Sequence, residues 1–266
     1  MKQDSLENLT VLLNHQGFQF SLAPECPQQE KLLAVVTGQA APERYFRQGR
    51  RRNVMLLEGM VVKLYEFHKL IDLFHSYRYA PREVECYHDY VKAFGSLEGI
   101  RLPRLLGYFE RPLLGHFHRA NGVVTEFIPD ARSLKQEELM ETAPLFAQLY
   151  RKGIYHPDMH YGNVLRHATS GALIPIDYMG CNILEEPNWE ALLIELARFL
   201  HTSRVDETKA RAFSDAVLQR LPELHLDPER AWRCIVQLKA IRITTHQYRH
   251  PIFLPKELRR ETMPQP

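Results

Sequence analysis

The sequence predicts an α+β fold in two lobes, because strand patterns dominate its first half and helical patterns its second. Short runs of alternating or β-branched residues recur up to residue 128. From residue 137 onward, leucines and aromatic residues recur at helical spacing. Pro129-Asp130 ends the last strand of the first half. We therefore expect an N-terminal lobe at residues 1–128, with an extension at 1–42, and a C-terminal lobe at 129–266.

An antiparallel sheet with one main helix is predicted for the N-terminal lobe. Leucines in helical phase predict a short helix at residues 4–14. Pro81 is placed to begin the main helix at 82–94, since proline fits the first helical turn. Glu58-Gly59 predicts a tight turn between two strands. The predicted strands are Arg44–Arg47, Val54–Leu57, Met60–Tyr65, one entered through Leu102–Phe109, and Gly122–Ile128.

Mostly helical structure is predicted for the C-terminal lobe. The apolar periodicity predicts helices near residues 137–152, 188–202, 206–220 and 228–248. The exception is the stretch Gly153–Gly180, which has a polar centre and two short apolar runs. Those runs predict a pair of short strands in an otherwise helical lobe.

The composition is that of an ordinary globular protein. Of the 266 residues, 45% are hydrophobic and 25% are charged, which is enough for a substantial core. The formal net charge of +2 gives no reason to expect a nucleic-acid partner. Four cysteines are scattered singly, so a disulfide framework or a thiolate zinc site is not expected. Without a signal peptide or a long apolar run, the expected location is cytoplasmic.

Three oxygen-bearing side chains are predicted to meet at one end of a hairpin. Asp158 and Asn163 precede the first short strand, Val164-Leu165, and Asp177 follows the second, Ala172–Ile176. Phosphoryl transfer needs a carboxylate that takes a proton, and an amide with a second carboxylate that hold Mg²⁺. We therefore predict that one of the two carboxylates is the base and that Asn163 holds Mg²⁺ with the other; the resemblance described below implies that Asp158 is the base and Asp177 the metal ligand. Taken alone, the same pattern is also that of a hydrophilic turn.

A lysine–glutamate pair is predicted upstream of this hairpin. Lys63 ends a β-branched run, and Glu83 lies on the helix that follows Pro81. Cysteine, tyrosine or valine occupies the positions three, four, seven and eight beyond Glu83, so this glutamate shares the apolar face of its helix. A carboxylate that points inward needs a cation, and Lys63 is available. The alternative is a solvated lysine on an edge strand.

Together these residues resemble the protein-kinase fold over about residues 43–200. Lys63 and Glu83 resemble the third-strand lysine and its helix partner, which implies that Lys63 binds the α- and β-phosphates of ATP. Glu126 and Ile128 resemble hinge residues that bind adenine through backbone groups. His156-Pro157-Asp158 with Asn163 resembles the catalytic loop, and Asp177–Gly180 stands where the metal-binding DFG motif occurs. The resemblance implies an ATP-dependent kinase with Mg²⁺ as its cofactor.

Three features narrow the class of kinase. His160 completes the H-x-D-x-H-x-G-N form of small-molecule and sugar kinases. Few residues separate Gly180 from the helix at Asn188, which leaves no room for a long loop that docks peptides. The segment Trp189–Leu200 is similar to the W…L-x-R-L-L segment of bacterial Kdo and heptose kinases of the lipopolysaccharide core. This resemblance implies a lipopolysaccharide core sugar, Kdo or heptose, as the acceptor.

Two other functions stay open. A kinase of a soluble small molecule, or an atypical bacterial Ser/Thr protein kinase, would carry the same residues. A nucleotide-binding pseudokinase is favoured by the loop at residues 48–53, which has a single glycine with which to cradle phosphates. In this loop we expect Arg50 to bind phosphate instead. A solvated turn, or a turn that faces an anionic partner, is equally consistent with its charge.

Two further expectations concern the basic tail and His156. An acceptor anchored in a bilayer would suit peripheral contact with the inner face of the inner membrane through the basic tail Lys256–Arg260. The same tail is also typical of solvated surface. His156 is predicted to be a core residue that hydrogen-bonds the loop backbone, rather than a metal ligand.

Overall fold

Two units make up the chain in its computed structural model, which describes residues 9–74, 76, 80, 83–87, 91, 97–114, 117–156, 158–178, 181–240, 254 and 256–263. The N-terminal unit is drawn from Met1–His88 and Pro103–Pro129. The C-terminal unit is drawn from Asp89–Leu102 and Asp130–Pro266. The chain therefore enters the second unit twice.

A seven-stranded antiparallel sheet forms the body of the N-terminal unit, with strand order β1-β2-β6-β7-β5-β4-β3. Glu58 and Gly59 join β4 to β5 with φ angles of 46° and 77°. Two successive positive φ angles are those of a type I′ turn, whose twist matches that of the strands, and the predicted tight turn is confirmed. The strands are β1 Val11–His15, β2 Phe18–Leu22, β3 Arg44–Arg47, β4 Arg52–Leu57, β5 Met60–Glu66, β6 Leu105–Leu114 and β7 Phe117–Glu126.

Helices cover both faces of this sheet. Side chains alternate along β5, so Val62 points to one face and Lys63 and Tyr65 point to the other. Helix α1, Gln29–Val36, packs on the first face, where its Leu32 joins a core that includes Val62. On the second face, Val84 of helix α3 (residues 83–87) packs in a core that includes Tyr65. Lys63 therefore lies on the side of the sheet that α3 covers. The short helix α2, Leu70–Leu73, precedes α3.

The predicted helix at residues 4–14 is wrong in the part that the structure describes. Val11–His15 forms β1, which pairs with β2 from Val11 opposite Leu22 to His15 opposite Phe18. Val11 and Leu13 pack against the core while Leu12 is exposed, which is the two-residue period of a strand. Residues 1–8 lie outside the described residues. So does most of the predicted helix 82–94, of which residues 83–87 and 91 are helical.

Helices dominate the described part of the C-terminal unit, as predicted, although the fifth of them, α8, was not expected from the sequence. Helix α5 is buried along most of its length. The centre of its Phe199 ring lies 4.9 Å from the ring centre of Phe146 and 5.7 Å from that of Phe213. Asn188 begins α5 by accepting hydrogen bonds from the amides of Glu190 (2.8 Å) and Ala191 (3.2 Å). The helices are α4 Ala143–Arg151, α5 Trp189–Ser203, α6 Glu207–Leu218, α7 Pro228–Ala240 and α8 Lys256–Thr262.

Short strands in the C-terminal unit carry the polar stretch singled out in the sequence. β10 pairs with β8 and β11, and β9 pairs with β12, all antiparallel. The strands are β8 Ala131–Ser133, β9 Ile154–Tyr155, β10 Val164–His167, β11 Leu173–Pro175 and β12 Asn182–Ile183.

Within the described ranges, no helix is both long and apolar enough to cross a bilayer.

Candidate active site

Lys63 and Glu83 form a buried ion pair in the N-terminal unit. Lys63 Nζ contacts Glu83 Oε1, and the two side chains are only 10% and 3% exposed. Lys63 lies on an interior strand, opposite Val54 of β4 and Val123 of β7, so the alternative of a solvated lysine on an edge strand is wrong. Burial removes water from both charges, and each needs the other as its counter-ion.

Two further side chains extend this pair, and the sequence reasoning missed them. Tyr65 Oη donates a hydrogen bond to Glu83 Oε2 at 3.4 Å. The guanidinium of Arg52 lies 5.5 Å from the centre of the Tyr65 ring, within the range of a cation–π contact. Arg52 is the residue of β4 directly opposite Tyr65. That register follows from the Glu58-Gly59 turn, so counting back from the turn would have found the contact.

The predicted hinge residues lie at and beyond the end of β7. The amide of Glu126 donates to Arg104 O at 2.8 Å, and the amide of Phe127 donates to Gly59 O at 2.8 Å. The next residue, Ile128, is buried, and its amide has no hydrogen-bond acceptor among the residues that the structure describes. A buried amide of this kind is suited to donate to a ligand.

Arg50 is exposed in the connection between β3 and β4. In the same connection the amide of Gly49 donates to Asn53 Oδ1 at 3.1 Å, which closes the turn. Among the described residues, no hydrogen bond or ion pair joins Arg50 to another predicted site residue. Its role in phosphate binding stays a prediction.

The hairpin of β10 and β11 brings Asn163 and Asp177 to one end. Val164 lies opposite Pro175, and the amide of Ile176 donates to Asn163 O at 2.8 Å. Asp177 is the next residue, is buried and has a φ of 66°, an uncommon backbone conformation for aspartate. Asn163 Nδ2 donates to Asp158 O at 3.0 Å, which joins the loop to the hairpin. The structure therefore brings the three predicted residues of the C-terminal unit together.

The donor set at this end of the hairpin fits Mg²⁺. Because Asn163 Nδ2 is held by Asp158 O, the amide oxygen of Asn163 is the atom left for a metal. Carboxylate and amide oxygens are the protein ligands that Mg²⁺ prefers. No group of three or more His, Cys, Asp or Glu side chains is placed to hold a metal within the described ranges. A site of Asn163 and Asp177 would thus depend on water and phosphate oxygens for its other ligands, as Mg²⁺ sites with bound nucleotide do.

Helix α5 holds the loop that carries Asp158 through two ionisable side chains. Arg198 Nη2 contacts Asp158 Oδ1, and these side chains are 15% and 21% exposed. One turn earlier, Glu195 Oε1 accepts a hydrogen bond from the amide of His156. The sequence reasoning missed both residues, although a signal was present. Glu195 and Arg198 are the charges that interrupt the apolar run at residues 191–200.

Burial shifts the pKa values of two neighbouring groups. Burial lowers the pKa of His156 to about 4, although the carboxylates of Asp158 and Asp177 act in the opposite direction. Burial raises the pKa of Glu195 well above its ordinary value. The neutral forms of both side chains are therefore favoured in the folded protein. His156 is fully buried, as the prediction of a core residue required.

His156 gives the protein a pH-dependent stability of defined sign. Its folded-state pKa of about 4 lies below its ordinary 6.5, so protons bind preferentially to the unfolded chain. The contribution of neutral His156 to the free energy of unfolding is complete above pH 6.5 and is lost as the pH falls toward 4. Between about pH 7 and about pH 4.5 we expect wild type to lose about 2 kcal/mol more free energy of unfolding than His156→Gln, as measured by urea denaturation.

Glu195 changes the stability in the opposite direction. Because its pKa is raised in the folded state, its protonation increases the free energy of unfolding as the pH falls. Glu195 is present in both proteins, so the difference in pH-dependent stability between wild type and His156→Gln isolates the effect of the histidine. Equal losses in the two proteins would contradict the assignment.

Comparisons with solved structures identify the fold. The structure of WaaP in complex with acyl carrier protein matches with a TM-score of 0.52 and 15% identity, over 83% of this chain and 92% of that one. The crystal structure of WbdD matches with a TM-score of 0.46 and 14% identity, over 74% of this chain and 50% of that one. Choline kinase LicA from Streptococcus pneumoniae matches with a TM-score of 0.44 and 9% identity, over 85% and 93% of the two chains.

No protein-family model and no curated protein sequence matches the chain. The shared fold with WaaP, together with the antiparallel sheet of one unit and the helices of the other, confirms the predicted fold class. The chain has a two-lobed, protein-kinase-like α+β fold.

Proposed function

We propose that the protein is an ATP- and Mg²⁺-dependent kinase that phosphorylates a hydroxyl of a lipopolysaccharide core sugar, Kdo or heptose. The observation that carries this proposal is the gathering of Asp158, Asn163 and Asp177 at one end of a single hairpin. A surface turn has no need of a buried carboxylate, an oriented amide and a second carboxylate held by an arginine. Phosphoryl transfer to a hydroxyl uses all three.

Each residue has a proposed role, and side-chain contacts support those of Asp158, Lys63 and Glu83. Asp158, positioned by Arg198, orients the acceptor hydroxyl and takes its proton. Asn163 and Asp177 hold Mg²⁺, which neutralises charge on the phosphates when it is bound. Lys63 binds the α- and β-phosphates, and Glu83 fixes its ammonium group. The backbone groups of Glu126 and Ile128 bind adenine, and Arg50 contacts phosphate from the loop at residues 48–53.

The segment after Asp177 favours a small acceptor over a peptide. Its described residues are tied down at short intervals. The amide of Cys181 donates to Tyr178 O at 3.1 Å, Asn182 and Ile183 pair with β9, and Asn188 caps α5. Protein kinases dock peptides on a long loop at this place, and residues 181–188 leave no length for one. His160 Nδ1, which accepts from the Gly162 amide at 3.0 Å, stabilises the turn between Asp158 and Asn163.

A screen of acceptors tests the proposal directly. The protein is incubated with radiolabelled ATP, Mg²⁺ and, in separate reactions, deacylated core oligosaccharide, a panel of soluble hydroxyl compounds and a mixed peptide library. We expect label on the oligosaccharide, and loss of transfer when EDTA removes the metal. Label on a soluble compound or a peptide instead would overturn the assigned acceptor but keep the kinase. ATP binding with no transfer to any acceptor would identify a pseudokinase and overturn both.

A further inference from the structure

Helix α2 presents apolar side chains to water and buries an acidic one. Leu70 and Ile71 are 72% and 64% exposed, and Phe74, just after the helix, is 55% exposed. Asp72 is only 7% exposed and forms an ion pair with Arg51 at 2.9 Å. A surface adapted to water has the reverse arrangement, because exposed large apolar side chains lower stability and solubility.

The end of β6 continues the same apolar surface. Leu113 and Leu114 are 43% and 77% exposed. The rings of Phe74 and Phe117, the first residue of β7, are nearly perpendicular with 5.3 Å between their centres, and Leu114 is paired with Phe117 in the sheet. These contacts place α2 beside the β6–β7 hairpin. The apolar patch is defined here as Leu70, Ile71, Phe74, Leu113 and Leu114.

Basic side chains lie directly beside the apolar patch. His68, Arg111 and Arg119 line a cavity of about 300 Å³ together with Leu73 and Leu113. All three are exposed at the surface, as is Lys69 at the start of α2. The acidic side chain in the cavity lining is Glu66, which accepts a hydrogen bond from Asn53 Nδ2 at 3.3 Å. The surroundings of the patch therefore carry more positive than negative charge.

We propose that the apolar patch and its neighbouring cations dock the protein on an anionic phospholipid surface. Leucine, isoleucine and phenylalanine side chains enter the boundary between headgroups and acyl chains, while lysine and arginine meet the phosphates. A partner protein buries such side chains in a groove of matching shape, whereas side chains that stand this far into water from two separate elements suit a fluid surface that conforms to them. This surface is distinct from the basic tail, where Arg259 is engaged with Glu190 at 2.9 Å.

Vesicle flotation with the full chain tests the proposal, and it needs neither ATP nor an acceptor. The probes are vesicles of phosphatidylcholine alone and of phosphatidylcholine with phosphatidylglycerol. We expect wild type to float with the anionic vesicles, less so at high salt, and Leu70→Gln/Leu114→Gln to bind at least about tenfold more weakly. These side chains are exposed, so the substitutions leave the fold intact. Leu12→Gln, at an equally exposed leucine of β1 (73%), serves as the control and should bind like wild type.

Three outcomes would overturn the proposal. The first is equal flotation of wild type and the double variant. The second is loss of flotation in Lys256→Gln/Arg260→Gln alone, which would assign lipid contact to the tail. The third is that wild type binds neither kind of vesicle but binds a soluble acidic protein through the same leucines. Because no step involves phosphoryl transfer, these results stand whether or not the kinase proposal holds.

Discussion

Phosphoryl transfer should fall by at least about a thousandfold when Asp158 is replaced with asparagine. The amide has the size of the carboxylate but cannot take the proton of the acceptor hydroxyl. The loss should appear in kcat at saturating ATP and acceptor, because Asp158 is not assigned to nucleotide binding. The KM for ATP should change little. Steady-state kinetics with the acceptor found in the screen provides the measurement.

The substitution also removes the partner of Arg198, so its effect on folding needs a control. Asp206 offers a matched one, since it caps α6 by accepting from the amide of Lys209 at 2.9 Å, and asparagine caps helices equally well. Asp206→Asn should keep full activity. The free energy of unfolding of both variants should be compared with that of wild type. A folded Asp158→Asn protein with wild-type kcat would remove Asp158 from its assigned role.

Glu83→Gln should lower the free energy of unfolding by about 3 kcal/mol, which would be the largest loss of stability expected from any single exchange considered for this chain. The variant leaves the ammonium group of Lys63 inside the N-terminal unit without its counter-ion. The hydrogen bond from Tyr65 to Glu83 is weakened at the same time. Urea denaturation measures the effect, and affinity for ATP should fall with it because the ammonium is no longer held in place.

Two further variants show whether burial of the ion pair is the reason for the loss of stability in Glu83→Gln. Glu223→Gln breaks the exposed ion pair with Arg151, whose side chains are 51% and 46% exposed, and should cost less than about 1 kcal/mol. Lys63→Met/Glu83→Leu removes both buried charges and should recover most of the stability lost in Glu83→Gln, while ATP affinity stays low. A Glu83→Gln protein as stable as wild type would show that water reaches Lys63.

The sequence predicts those parts of the fold that are encoded locally. The Glu58-Gly59 turn and the β-branched run before Lys63 are short-range signals, and both appear in the structure. The helix predicted at residues 4–14 is wrong where it overlaps β1, because Leu9, Leu12 and Leu13 also fit a helical period. Pairing with β2 decided the outcome, and periodicity within a single segment contains no information about that partner.

The candidate site likewise contains some residues that local sequence predicts and others that depend on packing. Asp158, Asn163 and Asp177 lie within one short stretch, so the spacing along the chain was enough to place them together. Arg198 and Glu195 are separated from their partners by 40 and 39 residues. Charged residues in a long apolar helix signal that some buried partner exists. They do not say which loop supplies it, because that depends on how α5 packs in the unit.

Helix α5 also connects the loop that carries Asp158 to Leu254 and Arg259. In its first turn, the buried carboxylate of Glu190 accepts from the amide of Leu254 at 2.7 Å and pairs with Arg259. Farther along, Glu195 and Arg198 hold His156 and Asp158. A truncation before Leu254 would leave Glu190 buried without these partners, on the helix that also holds Asp158. In protein engineering, Leu254 and Arg259 should therefore be kept, because they support the helix that holds the proposed base Asp158, although neither is a proposed site residue.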